Sequence, residues 1–443
     1  MKYVSTRGAK DPNLQKPVDF SHALLNCLCA DGGVYVPAYA EDLRPWIMYM
    51  DENTPFQSIA GALTSALIKE EFSPIISEAI ANQAFPFSPE LKQLDNNLYV
   101  LELFRGPTGI HKDFGLSYLA ACLEHILLMK ESSALIVAPT SGETGASIAH
   151  ALRGKNRVKA LLLYPEGSMR GFEDSDCVWN GGNVYPVEVK GAIADCIDLS
   201  RRLYADDDAV KRYGLTLANT VNIGRLLPHT FLYMYAFSRL RKKVYGDIYY
   251  AMGSDNYGNL TAGLYAWKFS LPVKGFILDS SAALSCDVQG KCCMPDSIVP
   301  LAKRGSADPG LPSNVERLEE IFTASAAVMK GLVYTAPVSE DDAASAFRRL
   351  FKRYGYFAAP AAARAYAAAL KRDDITDAED TNLVLIAAEE PCLHADTMRL
   401  WCGEKPAKNE RLSALYTKVQ PAKKIENDIR SLIKAADEIC AGS

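Results

Sequence analysis

The sequence reads as an α/β protein with two open, mainly parallel sheets covered by helices and a mostly helical region ahead of them. Three observations carry this reading. Short apolar runs alternate with amphipathic stretches of helical length through most of the chain, and glycine-bearing turns recur where a run ends and a helix begins. The length of 443 residues is about three times that of a typical domain. The expected units are a mostly helical 1–95, a small α/β unit over 96–225 and a larger α/β unit over 226–443.

In chain order, residues 56–68 and 75–84 place apolar side chains at helical spacing. Between the start and these helices, Asp31-Gly32-Gly33-Val34-Tyr35-Val36-Pro37 is a glycine turn followed by a short strand stopped by proline. Beyond residue 89, strands are expected at 98–104, 134–138, 160–164, 183–189, 248–252, 273–278 and 382–387. Helices are expected at 114–130, 145–153, 193–204 and 259–269. Residues 290–313, rich in Gly, Pro, Ser and Lys, form a surface loop in this reading, and the alanine run at 358–363 begins a buried helix. No internal repeat is evident.

Composition narrows the function. Apolar residues make up 49% and charged residues 23%, as in an ordinary globular protein. A formal charge of −5 with scattered Lys and Arg argues against nucleic acid as a partner. The eleven cysteines are odd in number and lack the C-x2-C spacing of zinc sites: Cys292 and Cys293 adjoin, and Cys27 and Cys29 are one residue apart. No metal is expected. The first residues lack the apolar stretch of a secretory signal, and Glu124, Lys130 and Glu131 interrupt the longest apolar stretch, so a reduced, cytoplasmic protein without a membrane span is expected.

Three turns carry candidate chemistry. Ser141-Gly142-Glu143-Thr144-Gly145 follows an expected strand and opens a helix, offering free N–H groups and two hydroxyls to a carboxylate or phosphate, although Ser and Thr serve equally as simple helix caps. Gly253-Ser254-Asp255-Asn256-Tyr257-Gly258-Asn259 stands in the same setting and lacks the Walker lysine. Arg105-Gly106-Pro107-Thr108-Gly109-Ile110-His111-Lys112 ends a strand and places Lys112 at a helix start, where a nearby positive field or apolar packing would lower its pKa toward a nucleophilic amine. One amine and two anion-binding turns suit a pyridoxal phosphate enzyme, and the same parts could serve an enzyme acting on phosphosugars.

The order of the motifs resembles that of the threonine synthase family, among the tryptophan-synthase-like, fold type II pyridoxal phosphate enzymes. The stretch from Glu102 to Gly115 is similar to the family's ELFHGPTxxFKDFG, and Thr140-Ser141-Gly142-Glu143-Thr144-Gly145 to TSGDTG. Asn219-Thr220-Val221-Asn222-Ile223-Gly224-Arg225 is similar to NSINxxR, and Ser254-Asp255-Asn256-Tyr257-Gly258-Asn259 to SGNFGN. The segment from Asp31 to Pro37 resembles DGGLYVP, and Ser313-Asn314-Val315-Glu316-Arg317 resembles SNxER.

The resemblance implies that Lys112 is the Schiff-base lysine and the base for the Cα and Cβ protons, and that Asp255, Asn256, Tyr257, Gly258 and Asn259 form the cofactor-phosphate loop. It implies a substrate site made by Thr140, Ser141, Gly142, Glu143, Thr144, Asn222 and Arg225; Arg105 and Arg170, which are not part of the family pattern, are further candidate cations for a leaving phosphate. The implied reaction converts O-phosphohomoserine and water to threonine and phosphate in a monomer or homodimer.

Several positions depart from the family pattern. Arg105 and His111 replace a histidine and an aromatic, Glu143 replaces Asp, and Asp255 replaces a glycine beside the expected phosphate. Glu166, Ser168, Arg170 and Glu173 alter the segment after Tyr164-Pro165. Residues 359–363 replace DPHTA, and Ala388-Glu389-Glu390 stands where the family offers a hydroxyl to the pyridine nitrogen. Strand neighbours face opposite ways, so one glutamate at most can reach that nitrogen, and Glu389 is the candidate. Two further readings stay open beside threonine synthase: a lyase or synthase of the same fold that expels another β- or γ-substituent, and a non-catalytic paralogue, which the cleft lysine opposes.

Overall fold

The computed structural model describes residues 1–8, 16–171, 182–281, 283–287, 291–294 and 304–441. Glu173 and residues 290, 295–303 of the expected loop lie outside them. The larger sheet runs, edge to edge, through Val333–Ala336, Gly275–Asp279, Asp247–Met252, Thr381–Ala387, Leu98–Glu102 and Glu90–Asp95. All neighbours are parallel except the last pair. Thr381–Ala387 lies inside this sheet and is buried at every position, the burial that parallel strands covered on both faces require. The antiparallel edge strand Glu90–Asp95 carries charge and partial exposure, which blunts a free edge. Its polar sequence offers no apolar run, and the sequence reading therefore passes over it.

The smaller sheet is wholly parallel and runs Lys424–Ile425, Val184–Val189, Val158–Pro165, Ala134–Pro139, Leu215–Thr216. Its two outer strands are two residues long, too short for periodicity to show. The expected inner strands form within one to three residues of their anticipated ends, as do the helices Lys112–Met129, Glu143–Leu152, Ile193–Tyr204 and Gly258–Lys268. The sheets interleave the expected segments. Leu98–Glu102 joins the sheet made chiefly from residues beyond 226, and Lys424–Ile425 returns from the far end of the chain to the smaller sheet.

The alanine run caps and opens the helix Pro360–Leu370, with proline in its first turn, where a missing N–H costs nothing. Its small side chains let the helix lie close on the larger sheet: a β-carbon on Gly253 would stand 3.2 Å from that of Ala361. The N-terminal region contributes the helices Phe56–Leu67 and Pro74–Ala84 and the antiparallel pair Tyr3–Ser5 with Tyr35–Pro37. Arg317, fully buried, donates to the carbonyls of Tyr35, Thr220 and Val221 and to Asn314 Oδ1, which pins this region to the loop between the sheets. Among the described residues, no helix is long and apolar enough to cross a membrane.

Candidate active site

The carboxyl ends of both sheets open onto one cleft, the place where open α/β sheets bind ligands. A cavity of about 280 Å³ there is lined by Lys112, the loop from Thr140 to Thr144, Thr220, Arg225 and Asn256, among others. Lys112 is the first residue of its helix, and its Nζ donates to Thr144 Oγ1 at 3.0 Å. Burial pushes its amine below the usual lysine range, and Arg225 adds to the effect against the opposing pull of Glu389, Asp255 and Glu143.

The segment before Lys112 is held by Asp113. Its buried carboxylate accepts from Thr108 N at 2.8 Å, Thr108 Oγ1 at 2.5 Å and Ser147 Oγ at 2.5 Å, and burial raises its pKa despite these bonds. On the opposite side, Thr140 Oγ1 accepts from Gly145 N at 2.9 Å and Gly142 N at 3.3 Å, shaping the turn from Ser141 to Thr144. Ser141 is exposed, and Glu143 pairs with Arg170 at 3.1 Å.

The turn from Ser254 to Tyr257 heads the helix Gly258–Lys268 with left-handed backbone at Asp255 (φ 34°) and Tyr257 (φ 60°). Asn256 Oδ1 accepts from Gly258 N at 3.1 Å, and its Nδ2 donates to Thr220 Oγ1 at 3.2 Å. Asn314 Nδ2 donates to the same hydroxyl at 3.1 Å. Behind the turn, Asp279 accepts from Ser254 N at 3.1 Å and from Arg364 Nε at 3.1 Å. Asn259 is buried, and its carbonyl accepts from the Tyr233 hydroxyl at 2.8 Å. Asp255 is exposed in this turn, and partial desolvation pushes its carboxyl up, helped by Glu389 and Asp279 and opposed by Lys112.

Glu389 and Glu390 part as strand neighbours do. Glu389 bonds His394 Nε2 at 2.6 Å, and this bond holds its carboxyl below the usual range against burial, with His111 and Lys112 adding to it. Glu390 is pushed up by burial and feels Arg411 and Arg105 instead. The peptide is fixed by His111 N donating to the Ala388 carbonyl at 2.7 Å and Glu390 N to the Gly109 carbonyl at 2.8 Å.

Two expected substrate residues bond within the fold. Arg105 bonds Glu102, and its Nη2 also lies 2.6 Å from Glu90, so two carboxylates already meet its charge. Asn222 is fully buried, and its amide donates to the carbonyls of Leu24 and Leu217 and to Thr216 Oγ1 while its Oδ1 caps Gly224 N at 3.0 Å. It builds the loop that carries Arg225 and has no donor left for a ligand. Thr220, Asn314, Asp279 and Arg364 were not anticipated as supports of the site. Thr220 and Asn314 lie within quoted motifs, whereas Arg364 carries no local signal.

A family model described as "Threonine synthase N terminus" matches residues 2–85. The threonine synthase of Escherichia coli (strain K12) is 32% identical over 377 residues, covering 84% of this chain and 85% of that protein. The chain belongs to the threonine synthase family. The Haemophilus influenzae threonine synthase is 31% identical over 311 residues, 70% of this chain and 72% of that protein. The crystal structure of the Escherichia coli threonine synthase superposes with a TM-score of 0.76 at 27% identity, covering 98% of this chain and 99% of that one. The pyridoxal-phosphate-bound threonine synthase from Brucella melitensis, at 22% identity and a TM-score of 0.79 over 99% of each chain, shares the fold. Asp255 and Glu389 both act on the charge of Lys112.

Proposed function

We propose that this chain is a pyridoxal-phosphate-dependent threonine synthase, which releases phosphate from O-phosphohomoserine and adds water to give threonine. The observation that carries the proposal is Lys112: its amine, depressed by burial and by Arg225, sits on Thr144 in a cleft where one anion-binding turn from each sheet converges. These residues fit the cofactor. The start of Gly258–Lys268 and its helix dipole favour a phosphate at the turn of Asn256, Tyr257, Gly258 and Asn259, where Tyr257 N now bonds the Ser254 carbonyl and Gly258 N bonds Asn256 Oδ1, bonds that a phosphate would replace. Asp255, exposed at this turn, must point away from that phosphate or meet a cation.

When bound, pyridoxal phosphate supplies an electron sink for negative charge developed next to the substrate's amino group. Lys112, with a neutral form made accessible by its depressed pKa, moves protons at Cα and Cβ. The turn from Thr140 to Thr144 orients the substrate carboxylate through its amides and hydroxyls. Arg225 meets the charge of the departing phosphate. Glu389, held by His394, would keep a proton on the pyridine nitrogen if the ring came within its reach, because a nearby carboxylate raises the pKa of a cationic acid. The protein would act in the cytoplasm, as a monomer or homodimer, on a small phosphorylated amino acid.

One observation favours a second reading, a lyase of the same fold that expels another β- or γ-substituent. Arg105 and Arg170 are paired with glutamates, which removes two cations from those expected to serve a phosphate. Incubation of the holoenzyme with O-phosphohomoserine, O-phosphoserine and O-acetylhomoserine, read by phosphate release and mass spectrometry, separates the two. Equal amounts of phosphate and threonine from O-phosphohomoserine are expected. Turnover of another substrate alone supports the second reading. Borohydride labelling that falls on a lysine other than Lys112 removes the first.

A further inference from the structure

Arg225 is buried to 3% exposure and lines the cleft, yet among the described residues it makes no ion pair with a carboxylate. Burial pushes its guanidinium down to about 9, still above neutrality, so it remains a cation. Its Nη1 lies 2.7 Å from Nε2 of His229, the first residue of the helix His229–Leu240. Arg only donates, so that nitrogen must accept, and the proton of a neutral imidazole then sits on Nδ1. The His229 Nδ1 is buried with no hydrogen-bond partner among the described residues, and the His111 ring packs edge-on against His229 at 5.3 Å. Burial, Arg225 and His111 together press the His229 pKa well below its ordinary value, which keeps the ring neutral.

We propose that His229 is a positioning residue that orients Arg225 toward an anion in the cleft without cancelling its charge. A carboxylate in the same place would fix the guanidinium equally well but would neutralise it, and a ligand phosphate would then meet a satisfied ion pair. A neutral acceptor leaves the positive charge for the ligand. The site deepens the proposed function, on which the identity of the anion as the substrate's leaving phosphate rests.

The test compares His229→Gln, His229→Glu and His229→Leu in the holoenzyme, using the KM for O-phosphohomoserine and the affinity for inorganic phosphate. The Gln oxygen reaches as far as Nε2, so His229→Gln is expected to stay within about threefold of the parent, whereas His229→Leu weakens both readouts about tenfold, the scale of a charge-assisted hydrogen bond. His229→Glu is expected to be weaker than His229→Gln in phosphate binding. The absorbance of the bound cofactor should be the same in all three. Gln and Leu variants that behave alike, or a Glu variant that binds phosphate as well as the Gln variant, would overturn the proposal, as would a parent holoenzyme that binds no phosphate. Should His229→Leu fail to fold, the Gln and Glu pair decides. Phosphate binding needs no turnover, so failure of O-phosphohomoserine as substrate overturns the functional reading alone.

Discussion

Gly115 lies inside the helix Lys112–Met129, where glycine costs about 1 kcal/mol relative to alanine, so on propensity alone Gly115→Ala is stabilising. The tertiary structure reverses the sign. A β-carbon at this position would lie 1.8 Å from Arg225 Nη1 and 2.4 Å from the Arg225 carbonyl oxygen. Ordinary contact for carbon begins at about 3.5 Å. The guanidinium can swing aside, but the carbonyl belongs to the backbone of Ile223–Leu226, so the two helices must separate by roughly 1 Å. Overpacking of this kind costs about 1–3 kcal/mol, and an immovable backbone contact places the cost at the upper end, beyond the propensity gain. Lys112 starts the displaced helix, and a shift of this size at a reacting group costs about a hundredfold in rate. Thermal unfolding and steady-state turnover of Gly115→Ala measure the two effects. A melting temperature at or above that of the parent, with turnover within about threefold, would refute the claim that this contact sets the spacing between Lys112 and Arg225.

The remaining predictions concern charge in and around the cleft. Glu389→Gln is expected to slow turnover and alter the absorbance of the bound cofactor, while Glu390→Gln leaves both nearly unchanged; two neutral results would return both glutamates to structural roles. His111 is pushed down to about 3 by burial, Arg225 and Lys112, whereas the unfolded chain takes up its proton near the ordinary value, so the folded state loses stability as the pH falls below about 6.5 and continues to lose it down to about 3. At pH 5 that penalty is about 2 kcal/mol, and His111→Phe removes it, so the variant should gain on the parent by about this amount between pH 8 and pH 5 in denaturant melts. A constant difference across that range would contradict the burial of a neutral ring. Arg317→Met leaves three carbonyls and Asn314 Oδ1 without their donor and is expected to cost more than about 3 kcal/mol in urea unfolding; a loss below about 1 kcal/mol would show that the N-terminal region does not depend on it.

The sequence alone determined the inner strands, several of the longer helices and the turns that carry Lys112, Thr144 and Asn256. Each depends on periodicity or turn chemistry within a dozen neighbouring residues, and such signals are written locally. Pairing of elements was not legible: Glu90–Asp95 is polar because it is an edge, and Lys424–Ile425 is a strand only because Val184–Val189 accepts it. The roles of charged groups were likewise decided in three dimensions. Arg105 stands beside the lysine motif in sequence, yet it pairs with Glu90 and Glu102, while Arg225 bonds His229 and, among the described residues, no carboxylate. Asp279 and Arg364, 85 residues apart, meet behind the turn at Ser254. Whether a side chain serves a ligand or the fold depends on which donors, acceptors and charges surround it after folding, and that neighbourhood is assembled from segments whose separation along the chain leaves no local trace.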